Sequence, residues 1–156
     1  MDKVDIINEN KSSLNNLAVD GVIYGLMGGI TMYMVLAALV LLSGENPAAL
    51  LARFSAGQLT SPIRGLLSHL AVSAIYGALF GVLVWPLLTR FTARRVYGYV
   101  GGLLFGSLLF LLSQIAVLPI TNSPLGEIPT WEWGLGHALY GLVLGGLFAS
   151  KVGKNQ

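Results

Sequence analysis

The run VYGYVGGLLFGSLLFLLSQIAVL, residues 96–118, carries no charge and is long enough, at about 1.5 Å per helical residue, to cross a hydrocarbon core roughly 30 Å thick. Gly98 and Gly102 lie four residues apart on one face of that helix, where missing side chains let a second backbone come close. Tyr97 precedes the pair. The same arrangement, Tyr-Gly with a second Gly four residues on, recurs at Tyr24-Gly25/Gly29, Tyr76-Gly77/Gly81 and Tyr140-Gly141/Gly145. With 6 Tyr and 20 Gly in 156 residues, chance would supply about 0.1 copies, so the arrangement is an internal repeat. Each copy falls in a different apolar segment.

Working outward, 54% of the chain is apolar and only 10% charged, with a mean hydropathy of +0.73. Soluble domains carry roughly 25% charged residues. The apolar segments therefore read as membrane helices over about 17–43, 63–88, 96–118 and 131–150. They lack the alternating pattern of a membrane β-barrel, and lipid leaves no other way to pair the backbone. The expected fold is all-α: one membrane domain, residues 1–156, a four-helix bundle built as a two-helix pseudo-repeat. The polar start, with Asp2, Asp5 and Glu9 beside Lys3 and Lys11, is unlike a cleaved signal peptide, so the first helix is expected to be retained. Cysteine is absent, which excludes disulfides, thiolate metal sites and cysteine nucleophiles. No basic face with interleaved aromatics suggests nucleic-acid binding.

Seven of the nine Lys and Arg residues (Lys3, Lys11, Arg90, Arg94, Arg95, Lys151 and Lys154) fall on the side of both termini, leaving Arg53 and Arg64 opposite. The positive-inside rule then places both termini in the cytoplasm. Trp131 and Trp133 read as an outer aromatic belt and Trp85 as an inner one. Asn46-Pro47 has the form of a helix cap followed by Pro at the first helical position, with Leu50, Leu51 and Phe54 on one face, which predicts a short interfacial helix over 47–56. Asn122-Ser123-Pro124 reads as a turn. With this orientation the glycine pairs lie mainly toward the cytoplasmic side, which predicts a bundle pinched there and wider at the outer face.

Away from the ends of the spans the ionisable side chains that stand out are His69 and His137, placed at similar depth in the outer half. Ser68, Ser113 and Gln114 approach the same layer. Paired imidazoles on facing helices are what a b-type haem needs, and His69, Gln114 and His137 are also hydrogen-bonding groups suited to a quinone head group. Against both stands the plainer reading, two neutral histidines satisfied within the bundle. Two histidines without further ligands make no closed metal site. Asp20 invites a reading as the acid of a small transporter, although its place near the start of the first helix suits a hydrated carboxylate favoured by the helix dipole. The repeat tyrosines and the methionines 27, 32 and 34 read as packing residues. No nucleophile set, phosphate loop or HExxH motif is present, so no catalytic residue is assigned and the chain is not read as an enzyme.

The first helix, with Gly25-Leu26-Met27-Gly28-Gly29-Ile30-Thr31-Met32, resembles the YagU-like family of bacterial inner-membrane proteins. So do a second helix with His69 ahead of Gly77 and Gly81 and a last helix with His137 ahead of Gly141 and Gly145. The resemblance implies four helices in an inner membrane and carries over no catalytic residue. The functional expectation is a non-enzymatic accessory or assembly subunit. It would pack into a larger membrane complex or homo-oligomer through the small residues Gly25, Gly29, Gly77, Gly81, Gly98, Gly102, Gly141 and Gly145. The alternatives are a haem- or quinone-binding redox protein and a small transporter.

Overall fold

Nothing in residues 3–20 breaks a helix, since the first glycine is Gly21 and no proline occurs before Pro47. Accordingly α1 (Lys3–Leu42) is one helix of 40 residues. The polar segment expected as a tail ahead of residue 17 is its first part. At about 1.5 Å per residue α1 is roughly 60 Å long, twice a hydrocarbon core, and its apolar portion is Leu14–Leu42. It ends in a Schellman cap: Gly44 takes φ 81°, Glu45 N–H donates to the Val40 carbonyl at 2.9 Å, and Gly44 N–H donates to that of Leu41 at 3.1 Å. The computed structural model describes residues 3–55, 60–91, 95–121 and 124–152. Asp2, Arg94, Asn122, Ser123 and Lys154 lie outside the described residues.

Two proline-led starts follow. The Asn46 side chain accepts from Ala48 N–H at 2.9 Å to open α2 (Pro47–Arg53). Ser61 accepts from Arg64 N–H at 3.2 Å to open α3 (Pro62–Leu79). Helix α3 continues through a π-turn, Phe80–Val84, into α4 (Trp85–Phe91). Helix α5 (Arg95–Leu112) continues through a second π-turn, Ser113–Val117, into α6 (Leu118–Thr121). Both π-turns stop two residues before a proline, Pro86 and Pro119. Proline cannot donate to the preceding turn and its ring crowds the carbonyl four residues back. The wider turn relieves that clash, with the N–H of the residue just before each proline bonding five residues back, Trp85 to Phe80 and Leu118 to Ser113. A 3-10 turn, Pro124–Glu127, leads to α7 (Thr130–Val152).

The described residues are helical throughout their regular structure, and three stretches are long and apolar enough to cross a membrane: Leu14–Leu42, Pro62–Arg90 and Arg95–Ile120. The expected fourth span, α7, is not among them. It is a 23-residue helix whose apolar character is diluted by Gly, His, Trp and Glu. The reason is its position. Helix α7 packs against both α1 and α5, and its buried residues form two columns at a spacing of four: Glu132, Gly136, Tyr140, Leu144, Phe148 and Trp133, His137, Gly141, Gly145, Ala149. A helix covered on two sides by protein needs less apolar surface than one facing lipid.

Helices α1 and α3 meet at bare backbone. A Cβ built on Gly77 would stand 2.6 Å from Gly25 Cα, and one on Gly25 would stand 2.8 Å from Gly77 Cα. Helices α5 and α7 meet the same way, with a Cβ on Gly145 falling 2.8 Å from Gly102 Cα. Between the two helix pairs, at the end near Lys151, Phe80 lies 5.3 Å from Phe105 and 5.5 Å from Phe148, and Trp85 lies 5.2 Å from Phe148, centroid to centroid. The pinch expected at this end thus operates within each pair, while bulky rings hold the pairs apart.

Candidate functional site

Helix α2 closes the opposite end. Its i, i+4 pair Leu50 and Phe54 is 1% and 8% exposed, and a Cβ on Gly65 would meet the carbonyl carbon of Leu51 at 2.7 Å, so α2 lies flush on α3. The short helix expected over 47–56 turns its apolar face inward and acts as a plug on this end of the bundle. Arg53, on its outer side, holds it to both flanks, 3.3 Å from Glu45 and 3.4 Å from Glu127.

Below the plug lies the polar layer that the sequence picks out. His69 is buried, and its Nε2 lies 2.9 Å from the Gly29 carbonyl across the α1–α3 seam. A carbonyl only accepts, so this nitrogen carries the proton. The same logic makes His137 Nδ1 the donor to the Trp133 carbonyl, 2.9 Å away within α7. Trp133 Nε1 donates to Ser113 Oγ at 2.8 Å, and that hydroxyl donates to the Phe110 carbonyl at 2.7 Å. One layer down, the Tyr140 hydroxyl donates to the Ser73 carbonyl at 2.8 Å, joining α7 to α3.

The two histidines share this layer but do not face a common space. Phe54 packs on His69 at 4.6 Å and reaches Trp133 at 5.7 Å, while Trp133 stands edge-on to His137 at 4.7 Å. The open outer half expected from the glycine positions is therefore filled by the plug and by Trp133. The geometry does not fit a haem held between His69 and His137, because rings occupy the intervening space and a proton on His69 Nε2 points at a helix carbonyl. Gln114 sits half-buried in the second π-turn, and the hydrogen bonds of both histidines go to backbone carbonyls rather than to it. The arrangement is a set of internally satisfied donors: among the described residues, no buried side-chain nitrogen or oxygen lacks a partner.

Other sequence candidates are placed as follows. Asp20 pairs with Lys151, which also lies 5.6 Å over the Tyr24 ring, so the carboxylate staples α1 to the end of α7. Trp131 is exposed, but Trp133, expected beside it in an aromatic belt, is a core residue at 5% exposure. The four repeat tyrosines differ: Tyr140 is buried, Tyr24 stands edge-on to Phe148, Tyr76 is partly buried against the core and Tyr97 is exposed. Met32 is in the core, and Met27 and Met34 face outward. Sequence reasoning missed Glu132, which is 8% exposed and makes no ion pair or hydrogen bond among the described residues, its carboxylate oxygens being recessed but not fully buried. Its signal was available: Glu132, Gly136 and Tyr140 share one helix face by spacing alone. In comparisons with protein-family models, curated proteins and solved structures, nothing matches this chain.

Proposed function

We propose that this chain is a four-helix integral membrane protein, α7 being the fourth span, with both termini on the cytoplasmic side of a bacterial inner membrane. It acts there as a non-enzymatic accessory or assembly subunit that packs laterally against other membrane subunits. One observation carries the reading. The polar groups of the core are directed at each other, whereas a broad apolar face of α5 and the π-turn that follows it, including Val100, Leu104, Leu108, Leu111 and Ile115, points outward. A protein whose interior is closed and whose loops are short has its helix faces as the main recognition surface. The YagU-like family is proposed on the same basis, the glycine and histidine pattern of the first, second and last helices.

Purification of tagged protein from its native membrane in mild detergent, with mass spectrometry of what accompanies it, tests the proposal. Defined membrane subunits are expected with the unmodified chain and are lost from Leu104→Trp/Leu108→Trp at unchanged helix content. Recovery of a lone chain with lipid, or partners indifferent to that pair of substitutions, overturns it. For the orientation, Lys154→Cys should react with a membrane-impermeant thiol reagent only after the cytoplasmic side is opened.

A further inference from the structure

We infer that Arg90 and Arg95 form a binding site for the phosphate of an anionic phospholipid headgroup. Arg90 lies in the last turn of α4 and Arg95 is the first residue of α5, so the two bracket the junction between the spans Pro62–Arg90 and Arg95–Ile120. That puts both guanidiniums at the edge of the apolar belt. Below the junction Leu88 fills the gap left by Gly101, where a Cβ would meet the Leu88 side chain, and this packing holds α4 and α5 together.

Both arginines are exposed, and neither has an ion pair or hydrogen bond among the described residues. Nor does the sequence offer them one nearby, since no Asp or Glu occurs between Glu45 and Glu127. Asp20, at this end of the bundle, is engaged by Lys151. Thr89, beside Arg90, is no competitor, because its hydroxyl is bonded to the Trp85 and Pro86 carbonyls. Arg95 also opens a helix whose dipole gives a cation no support there.

The chemistry selects the occupant. A guanidinium presents paired donors that match two phosphate oxygens, and two uncompensated guanidiniums at headgroup level attract a lipid of net negative charge over a zwitterionic one. Exposed Leu87 and Val96 lie next to the pair along the chain and supply apolar surface for the acyl chains.

The inference rests on the membrane reading, and the two can fail separately. The full chain is reconstituted into phosphatidylcholine vesicles, incorporation is read by co-flotation, and the fraction of motionally restricted spin-labelled phosphatidylglycerol is compared with that of spin-labelled phosphatidylcholine. Failure to float with lipid would sink the membrane reading itself. With incorporation achieved, the anionic lipid should be preferred. At about fivefold per arginine, Arg90→Gln/Arg95→Gln should lower that preference by roughly 25-fold at most, while Arg64→Gln leaves it unchanged. Arg90→Lys/Arg95→Lys keeps the charge and should retain part of the preference, which separates headgroup binding from misfolding. Inorganic phosphate should not displace the lipid beyond what chloride does at equal ionic strength. A wild-type chain with no preference, a double variant that keeps it, or displacement by inorganic phosphate overturns the inference.

Discussion

Replacing Gly77 by Ala adds one methyl group at the closest approach of α1 and α3. The new Cβ would stand 2.6 Å from Gly25 Cα and 2.9 Å from Gly25 N. Carbon atoms rest comfortably at about 3.5 Å or more, so α1 must retreat by roughly 1 Å, and because the obstacle is backbone no side-chain rotation absorbs the strain. Overpacking of this kind costs about 1–3 kcal/mol. Helix propensity works the other way, with Ala favoured over Gly by about 1 kcal/mol. Because the backbone of α1 crowds the new methyl group at Gly21 and Gly25 together, the upper part of the overpacking range applies, about 2–3 kcal/mol, and the net expectation is a loss of about 1–2 kcal/mol. Gly134→Ala isolates the opposing effect, since a Cβ there meets only the Phe110 ring at 3.6–3.9 Å, ordinary contact, and should raise stability by up to about 1 kcal/mol. Reversible unfolding in mixed micelles with increasing sodium dodecyl sulfate, followed by far-ultraviolet dichroism, reads both. Gly145→Ala on the α5–α7 seam should match Gly77→Ala, and the two should add because they lie on different helix pairs. If Gly77→Ala is as stable as the parent, or moves in the same direction as Gly134→Ala, close backbone approach is not what holds α1 to α3.

In the same assay Phe54→Ala should be the most damaging of the single changes, at about 3–5 kcal/mol, because it removes the ring wedged between His69 and Trp133; a loss under 1 kcal/mol would mean that α2 does not plug the bundle. Lys151→Met breaks an ion pair whose two side chains are partly exposed, so the expected loss is under about 1 kcal/mol and shrinks with salt. A larger or salt-insensitive loss contradicts the view of this pair as a surface staple. Glu132→Gln removes the charge of a recessed carboxylate that has no ion pair or hydrogen bond among the described residues, and the variant should be at least as stable as the parent at pH 7. Marked destabilisation would show that the carboxylate has a role the packing does not reveal.

The long apolar segments were legible because residues 63–88 and 96–118 carry their own signal, length without charge. The start of α2 was equally legible, since Asn46-Pro47 pairs a capping side chain with a proline that fits the first helical position. What failed was inference about neighbours. Leu50 and Phe54 at i, i+4 define an apolar face but do not say whether lipid or protein covers it, and the same uncertainty misplaced Trp133. The start of α1 near residue 17 was set by hydropathy, yet a helix ends where its backbone is interrupted, and residues 3–20 contain no Gly or Pro. The sequence could pair the two histidines in one layer for a simple reason: position along a straight helix fixes level along the bundle. Rotation about the helix axis, which decides whether two rings face each other or a carbonyl, is fixed by packing that no single segment encodes.

The same distinction reinterprets the internal repeat. Aligning the Tyr-Gly motifs would match Gly25 with Gly98 and Gly77 with Gly141. The contacts match differently: Gly25 meets Gly77 as Gly102 meets Gly145, and Gly29 lies beside Ser73 as Gly106 lies beside Gly141. The structural repeat is thus displaced from the motif by one helical turn, and in that register His69 corresponds to His137. This explains why the tyrosines have four unlike environments while the small residues have equivalent ones: the glycine column is what recurs, and tyrosine precedes a different member of it in each half. The halves differ where α2 enters. Only the first half inserts such a helix between its two long ones, and Phe54 from it covers His69, whose proton crosses the seam to Gly29. His137 is covered by Trp133 and turns its proton to its own helix. One plug shared by two half-bundles is enough to make matched histidines unequal, so neither residue's environment can be carried over to the other from the repeat alone.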